Sequence, residues 1–266
     1  MNTILLRCMI VFFAALLIAS PARPQSGGDA RKSVVILDFK NKQNLKGHIS
    51  MALVCGELFS PPEQYLRGFI HLGDAITRWM KIEVRIEKHV MLSSSRLLEM
   101  PFVYVTTDQA FELSKTEREN VKKYLESGGF MVVENPTPVT ETSPAEASLK
   151  QMIRDVLGSK AKFTPIPKDH PIYSCFWDFT DGPPKGAENG MFNSSADTGS
   201  ASNTRMSKPV LYLEGVWINE RLAVVYSNKG YIVKWTDLGD NIPQLKMGVN
   251  MIVYALRQDG GLAIRQ

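Results

Sequence analysis

Two acidic residues near the middle of the chain, Asp108 and Glu134, have the types and positions that could support acid–base chemistry. Each follows the end of a predicted buried strand, and a predicted helix connects the two strands. Because neighbouring parallel strands end at one edge of a sheet, the two carboxylates can approach each other there. Such a pair can separate its pKa values for proton transfer or hold a cation. The alternative is that Asp108 starts a turn and Glu134 ends its strand, without chemistry.

Further polar residues follow the ends of predicted strands or lie in a neighbouring loop. His170 stands between Asp169 and Pro171, just before an aromatic cluster, where a general base or a ligand-binding group would fit. The alternative for His170 is a turn whose backbone is restricted to extended shapes by the following proline. The predicted candidate pocket consists of Thr107, Asp108, Glu134, Asn135, His170 and Asn228.

The usual signatures of nucleophilic, metal and phosphate chemistry are missing from the sequence. Neither Gly-x-Cys-x-Gly nor Gly-x-Ser-x-Gly occurs, and Cys55 has only Gly56 beside it, without a clear strand–turn–helix pattern. We therefore interpret Cys55 as a small buried residue. His48, His71 and His89 have no spacing suited to zinc, and no Walker or Gly-x-Gly-x-x-Gly motif is present. We predict no metal and no cofactor.

The elements that must position the two acids form the best-defined stretch of the sequence. An apolar run at 102–105 predicts a strand, and Ser114 with Glu117 three residues later predicts the capping box that begins a helix. Gly128-Gly129 can end that helix, and the apolar run at 130–133 predicts the next strand. Such strand–helix–strand crossovers place neighbouring strands parallel.

Other segments extend this pattern to a whole domain. Strands are predicted at 34–37, 82–86, 210–213, 216–218 and 222–226, and helices from about Pro61, over 145–157 and over 244–257. The first of these strands is uninterrupted and β-branched, as in a strand buried on both faces, and the second alternates as in a strand nearer an edge. We predict an α/β fold with a doubly wound, mostly parallel, flavodoxin-like sheet over residues 33–260. Residues 181–208, rich in Gly, Ser, Asn and Pro, are predicted to form a long surface loop.

The N-terminus has the layout of a secretory signal peptide at residues 1–22. Arg7 precedes an apolar run at 9–19 that ends in Ser-Pro-Ala, with small residues at a cleavage site after Ala22. Residues 23–32 then form a flexible start of the mature chain. The apolar run has about half of the roughly 20 residues needed to span a bilayer, so a periplasmic or secreted protein is predicted. The alternative is an uncleaved N-terminal helix that anchors the protein.

Composition limits the partners that the domain can have. The chain has 44% hydrophobic and 22% charged residues and a net charge of +4, with Lys and Arg interspersed among Asp and Glu. Nucleic-acid binding is not predicted, because it needs clustered cations. No stretch after the signal peptide is long and apolar enough to span a membrane. Cys55 and Cys175 can form a disulfide in an oxidising compartment or be two separate buried thiols.

Several motifs resemble one known family. They include Pro-Phe-Val-Tyr-Val at 101–105, Tyr-Leu-Glu-Ser-Gly-Gly-Phe at 124–130, Asp-His-Pro-Ile at 169–172 and Gly-Val-Asn-Met-Ile-Val-Tyr-Ala at 248–255. Over about Leu66 to Arg257 the chain resembles the family called domain of unknown function 4159. The resemblance implies a fold similar to class I glutamine amidotransferase domains and implies no established reaction. It also suggests MoxR-type ATPases and von Willebrand factor A-domain proteins as partners in the cell envelope.

The chain departs from the pattern of that family at two places. Many members have a pair of Asp residues where this chain has Glu134-Asn135, and many have an Asn-Asp-Leu-Gly-like segment where this chain has Ser-Asn-Lys-Gly at 227–230. If these positions form a shared site, its chemistry is altered or lost in this chain.

Three functions fit these observations. The first is a non-catalytic binding or assembly module of the bacterial cell envelope, since the scaffold is intact but lacks a nucleophile on a sharp turn. The alternative is a hydrolase that uses Asp108 and Glu134, with His170 in support, with or without a bound cation. The third is a purely structural role in which the loop at 181–208 makes the contact.

Overall fold

The computed structural model describes residues 34–37, 45–138, 143–187 and 211–265. The strands are β1 Val34–Leu37, β2 Leu45–Cys55, β3 Glu83–Met91, β4 Phe102–Thr106, β5 Phe130–Glu134, β6 Thr164–Pro165, β7 Glu214–Ile218, β8 Arg221–Ser227 and β9 Ile264–Arg265. The helices are α1 Glu63–Met80, α2 Lys115–Glu126, α3 Pro144–Leu157, α4 Tyr231–Lys234 and α5 Ile242–Arg257. The predicted signal peptide and the flexible start after it lie outside the described residues.

One mixed sheet joins all of these strands, in the order β6-β7-β8-β5-β4-β2-β1-β9, with β3 also paired to β2. Its centre, β3-β2-β4-β5-β8, is parallel throughout. That central order is the 2-1-3-4-5 arrangement of flavodoxin-like sheets, in which the strand order reverses between the first and third strands. Here the reversal lies between β2 and β4. The predicted mostly parallel sheet is confirmed.

Helices cover both faces of the sheet. Buried side chains of α1, α4 and α5 form one apolar cluster with one face, including Phe69, Ile232 and Ile252. Side chains of α2 and α3, including Val121 and Ile153, form a second cluster on the other face. Removal of this apolar surface from water is the main stabilising contribution to such a layered domain. The doubly wound α/β fold class is therefore confirmed.

The β4–α2–β5 crossover matches its prediction closely. The Ser114 hydroxyl accepts a hydrogen bond from the Glu117 amide at 3.3 Å, and the Glu117 carboxylate accepts one from the Ser114 amide at 2.8 Å. This reciprocal capping box begins α2. β4 and β5 are parallel from the Phe102–Phe130 pair to the Thr106–Glu134 pair. The ends of the two strands thus lie side by side at one edge of the sheet.

One strand lies where no element is predicted, and one predicted strand is absent. β2 is 11 residues long and ends at Cys55, with a loop and then α1 after it. The first half of β2 pairs with β1 and the second half lies between β3 and β4, so no single alternation of apolar residues marks it. The predicted strand at 210–213 is absent at 211–213, where Leu211 is exposed, and residue 210 lies outside the described chain.

β3 is an edge strand, as predicted, and extends to Met91. Among the described residues it pairs only with β2. The pairing shifts between Leu53 and Val54, where His89 has a φ of 58° and forms a β-bulge. A positive φ at a residue other than glycine is uncommon and bends the strand locally.

The two described cysteines form no disulfide, and both are buried. Cys175 Sγ donates a hydrogen bond to the Asn250 carbonyl oxygen at 3.2 Å, while Cys55 Sγ lies 3.8 Å from Ser60 Oγ. Burial raises the pKa of the Cys55 thiol, which keeps it in the protonated, weakly nucleophilic form. The disulfide that the sequence left open is not formed. Within the described parts of the chain, no helix has the length and apolar character needed to cross a membrane.

Candidate functional site

Glu134, the last residue of β5, is the centre of a buried polar network. Its side chain has no solvent exposure. Tyr104 Oη donates to Oε2 at 2.5 Å, Ser227 Oγ donates to Oε1 at 2.7 Å, and the Ile232 amide donates to Oε2 at 2.7 Å. Burial raises the pKa of Glu134, and the three donors oppose that shift. Both carboxylate oxygens are therefore engaged by the fold itself.

The elements around Glu134 explain how these donors reach it. Tyr104 lies on the adjacent strand β4, and Ser227 is the residue of β8 that pairs directly with Glu134. The backbone then turns at Gly230, which has a φ of 63° and where a Cβ atom would lie 2.5 Å from the Pro136 carbonyl oxygen. Because only glycine fits this turn, α4 can begin directly over the end of β5 and present its first amides to the carboxylate.

Asn135 and Asn228 are brought together beside Glu134. Asn135 Nδ2 donates to Asn228 Oδ1 at 2.8 Å, and the Asn135 amide donates to the Ser227 carbonyl oxygen at 3.0 Å. Asn135 is completely buried, whereas Asn228 is partly exposed. The structure thus brings Glu134, Asn135 and Asn228 together at one end of the sheet. Residues 106–108, 134–135 and 227–228, at the carboxyl ends of β4, β5 and β8, form what we call the carboxyl rim.

The part of the carboxyl rim between β5 and β8 is covered by protein. Tyr231 Oη donates to the Pro184 carbonyl oxygen at 2.7 Å, and the Ala187 amide donates to the Lys229 carbonyl oxygen at 2.6 Å. Gln244 Nε2 donates to the Lys185 carbonyl oxygen at 2.6 Å. These contacts come from the beginning of the predicted surface loop at 181–208, whose residues 188–208 lie outside the described chain. Glu134 therefore faces packed chain instead of an open pocket.

Asp108 and Thr107 lie on the part of the rim that stays open. Asp108 is exposed, and its Oδ1 accepts a hydrogen bond from Tyr65 Oη of α1 at 2.5 Å. Burial and the neighbouring Asp108 raise the pKa of the Tyr65 hydroxyl, which therefore stays a donor. Thr107 is buried, and its Oγ1 accepts from the Gln109 amide at 3.1 Å, which makes a local turn after β4. Asp108 thus has a side-chain partner of its own, separate from the partners of Glu134.

His170 lies at the opposite end of the sheet, which corrects the predicted grouping. Its ring centroid is 5.1 Å from that of Tyr254 and 6.4 Å from that of Trp217. The Tyr254 ring contacts Phe130, the first residue of β5, whereas Glu134 is the last. The two ends of a five-residue strand are about 13 Å apart. His170 Nδ1 accepts from the Ile172 amide at 3.2 Å, as in the turn interpretation.

Asn250 on α5 holds the segment around His170 at this end of the sheet. Its Nδ2 donates to the carbonyl oxygens of Ile172 and Trp177 at 3.0 and 2.8 Å, and its Oδ1 accepts from the Trp177 amide at 2.7 Å. The segment that follows His170 is thereby held against α5. Asn250 is the asparagine of the Gly-Val-Asn motif at 248–250, so the motif has a structural role.

The Tyr-Leu-x-x-Gly-Gly-Phe motif also has a structural role. Tyr124 Oη donates to the Phe130 carbonyl oxygen at 2.9 Å, and its ring lies 2.3 Å from where a Cβ at Gly129 would be. Glycine is therefore required at this close approach between α2 and β5. Tyr124 and Phe130 are fully buried, so these motif residues stabilise the fold and present no reactive group to solvent.

The residues that the predicted pocket leaves out are Tyr65, Tyr104 and Ser227. Each binds a predicted site residue through a hydroxyl, and their partners are 43, 30 and 93 positions away in the chain. A tyrosine two residues before the end of a buried strand, as in Phe-Val-Tyr-Val-Thr at 102–106, is the one local signal available, since a buried hydroxyl needs a partner.

A groove lies beside the carboxyl rim, between the loop that follows β4 and helix α3. Its volume is about 1020 Å³. The floor includes Phe111 and Met152, the sides include Lys150 and Gln151, and Leu58 at its edge is 66% exposed. Among the described residues, no three His, Cys, Asp or Glu side chains are grouped so that they could hold a metal ion. The groove is thus apolar below and charged at its sides.

Comparisons with known proteins identify a family and find distant similarity among solved structures. The profile of a family described as "Domain of unknown function (DUF4159)" matches residues 63–256. Among proteins with curated descriptions, none matches the sequence. A crystal structure of a ThuA-like protein from Bacteroides uniformis is 11% identical, with a TM-score of 0.40, and the match covers 79% of this chain and 92% of that one. At this TM-score the similarity is partial.

Proposed function

The chain belongs to the family described as Domain of unknown function (DUF4159), and from the arrangement of its own residues we propose that it is a non-catalytic binding or assembly module of the bacterial cell envelope. The observation that supports this proposal is the state of Glu134. This carboxylate is fully buried and accepts three hydrogen bonds from its own fold. It therefore acts as a structural anchor for β4, β8 and α4.

A hydrolase based on Asp108 and Glu134 has less support. A general base must come within hydrogen-bond reach of the proton that it removes, directly or through one water molecule. Glu134 has no exposed surface, and three donors already occupy its oxygens. Asp108 is exposed but accepts from Tyr65, so it would act without a second carboxylate. This geometry favours binding over acid–base catalysis.

The groove between the loop after β4 and α3 is the surface that we assign to a protein partner. Leu58 exposes 66% of its surface at the edge of the groove. Glu146 and Lys150 lie along the side, where Lys150 Nζ is 2.9 Å from a carboxylate oxygen of Glu214. An apolar centre with charged residues around it is the usual arrangement of a protein–protein contact. MoxR-type ATPases and von Willebrand factor A-domain proteins are the partner classes that the family resemblance suggests.

Placement in the cell envelope rests on the sequence of residues 1–22, with its short apolar run and small residues before Ala22. A periplasmic or secreted protein is the proposal, and an anchor formed by the uncleaved N-terminal helix is the alternative. Fractionation followed by N-terminal sequencing distinguishes them. A mature chain that begins at Arg23 in the soluble periplasmic fraction supports cleavage, and an intact N-terminus in the membrane fraction supports the anchor.

Two matched experiments test the binding role. A photo-crosslinking amino acid at Gln151, which is exposed at the groove, identifies the partner in cells, and the same group at the exposed Arg67 of α1 is the control. Binding of that purified partner is then measured by calorimetry. We expect Leu58→Asp to weaken it about tenfold or more, while Leu238→Asp leaves it unchanged, since Leu238 is 87% exposed elsewhere.

Two results would contradict the proposal. Equal crosslinking from Gln151 and Arg67 would show that the groove has no specific partner. Turnover of a substrate that is abolished by Asp108→Asn, in a variant that keeps its thermal stability, would show that the protein is an enzyme and that the open acidic residue is its base.

A further inference from the structure

A second cavity lies at the other end of the sheet, where the parallel strands begin. Its volume is about 620 Å³, and its walls include Ser174, Cys175, Arg221, Tyr254, Arg257 and Gln258. Arg221 is the first residue of β8, and the Tyr254 ring contacts the first residue of β5. We call it the amino-edge cavity. It is separate from the groove described above and shares none of its lining residues.

Gln258 is the unusual residue of the amino-edge cavity. Its side chain is 8% exposed, and both the amide nitrogen and the amide oxygen are buried without a hydrogen-bond partner among the described residues. A buried amide that lacks partners destabilises a fold, because it gives up its hydrogen bonds to water. Such groups are rare in native proteins and call for an explanation, of which a bound ligand is one.

Two further groups on the walls have unused donors. The Arg221 guanidinium donates to the carbonyl oxygens of Leu125 and of Gly129, the latter at 2.9 Å, and forms no ion pair with a described residue. A guanidinium has five N–H groups, so donors remain for a ligand. The Tyr254 hydroxyl makes no hydrogen bond within the described part of the chain, and burial raises its pKa, so it stays a donor. The Arg221 guanidinium and the Tyr254 hydroxyl are therefore suited to bind the carboxylate of a ligand.

The mouth of the cavity has the opposite charge. Glu220 and Asp259 line it, and both residues are exposed. Glu220 is held there by the β7–β8 turn, in which Asn219 and Glu220 have φ values of 49° and 66°. Carboxylates at the entrance and a guanidinium inside favour a ligand with an ammonium group at one end and a carboxylate at the other.

We propose that the amino-edge cavity binds a short zwitterionic peptide of the dipeptide class. The carboxylate of the peptide pairs with Arg221 and Tyr254. Its amide bond, which has one donor and one acceptor, pairs with the Gln258 side chain, and its ammonium group lies near Glu220 and Asp259. A cavity of about 620 Å³ has the size of known small-molecule sites. A free dipeptide and the C-terminal end of a longer peptide have the same carboxylate and amide bond. They differ at the amino group, which is a free ammonium only in the dipeptide.

Calorimetric titration of the purified protein with alanyl-alanine tests the proposal, and three related probes identify the groups that matter. We expect saturable binding of alanyl-alanine and a loss of about tenfold or more for its C-terminal amide. The N-acetylated dipeptide distinguishes the two sources: weaker binding supports a free dipeptide, and equal binding supports the end of a longer chain. Free alanine lacks the amide bond, and we expect it to bind about tenfold more weakly.

A variant of Gln258 separates a binding role from a structural one. Gln258→Met keeps the size of the side chain and removes both unpartnered polar atoms. If the amide serves a ligand, this variant loses about tenfold in affinity for alanyl-alanine while its melting temperature stays equal to or above that of the wild type. The control is Gln64→Met on the exposed surface of α1, which we expect to leave affinity unchanged.

Any of three results would overturn the proposal. The first is the absence of saturable heat with alanyl-alanine at concentrations up to about 10 mM, which corresponds to a binding free energy weaker than about 3 kcal/mol. The second is equal binding of the C-terminal amide. The third is unchanged affinity in Gln258→Met together with a lower melting temperature, which would make the glutamine a structural residue. None of these results depends on the partner proposed for the groove.

Discussion

Two buried polar side chains at opposite ends of the sheet, Glu134 and Gln258, differ in their hydrogen bonding. At the carboxyl rim, Glu134 and Asn135 have partners in the fold, and the chain at 184–187 covers them. At the amino-edge cavity, the Gln258 amide has no partner among the described residues, and the walls line an open cavity of about 620 Å³. In open α/β sheets the carboxyl ends usually bind the ligand. In this protein, α4 covers part of the carboxyl end of the sheet.

This contrast separates a structural acid from candidate binding groups. A polar group whose hydrogen bonds are complete stabilises the fold, whereas an incomplete one lowers stability until another molecule completes it. Substitutions at the carboxyl rim should therefore change the free energy of unfolding. Substitutions at the amino-edge cavity should change affinity instead. Three measurements at the carboxyl rim test its half of this comparison.

The largest effect is expected for Glu134→Ala. Removal of the carboxylate leaves Tyr104 Oη, Ser227 Oγ and the Ile232 amide without their acceptor in a buried place, which costs about 4 kcal/mol of unfolding free energy. Urea denaturation followed by circular dichroism measures this loss. Glu126→Ala is the control, because Glu126 is exposed at the end of α2 and its substitution should cost less than about 0.5 kcal/mol.

Glu134→Gln keeps the shape of the side chain and serves as a second variant if Glu134→Ala does not fold. Equal stabilities of the wild type, Glu134→Ala and Glu126→Ala would contradict a structural role for the buried acid. The comparison between the two ends of the sheet would then have no basis.

A smaller effect is expected from removal of single tyrosine hydroxyls. Tyr104→Phe takes one donor from the buried Glu134, which should cost about 2 kcal/mol. Tyr65→Phe takes one donor from Asp108, whose exposed carboxylate can bind water instead, so a loss below about 1 kcal/mol is expected. The same denaturation experiment measures both. A larger loss for Tyr65→Phe than for Tyr104→Phe would reverse the assignment of the structural acid.

The last effect concerns pH. Burial raises the pKa of Glu134 above its ordinary value of 4.5, so the folded state binds a proton more tightly than the unfolded state does. The stability that this adds is fully present below the unfolded pKa and is lost as pH rises through the folded pKa. Relative to Glu134→Gln, the wild type should therefore lose stability above about pH 4.5, by at most about 1.4 kcal/mol per pH unit.

Unfolding free energies of the wild type and Glu134→Gln between about pH 4 and 7 measure this difference, with Glu126→Gln as the exposed control. A difference that grows in favour of the wild type with rising pH would mean that the donors outweigh burial and that the folded pKa is lowered instead.

The parts of the fold that could be predicted from the sequence are those with local signals. The capping box of Ser114 and Glu117 and the apolar runs on either side of α2 are complete within one short segment. β2 gave no such signal, because its partners β1, β3 and β4 lie on both sides of it along the chain and bury different halves. A strand whose environment changes along its length has no single periodicity.

The site was predicted only where strand order determines it. Asp108, Glu134 and Asn228 follow strands that end at one edge, so their placement was predicted from topology. The position of His170 depends on Asn250, which lies 80 positions later and binds the segment after the histidine. The burial of Glu134 depends on the turn at Gly230 and on α4. Long-range contacts of this kind have no local pattern in one sequence.

The form of β3 has a consequence for behaviour at high concentration. This strand offers nine residues of backbone at the border of the sheet, where a second molecule could add its own strand. Four charged side chains, at 83, 85, 87 and 88, and the bulge at His89 make such an addition unfavourable, since the charged groups would lose water and the bent strand would not lie flat against a second one. We conclude that β3 protects the protein against edge-to-edge aggregation.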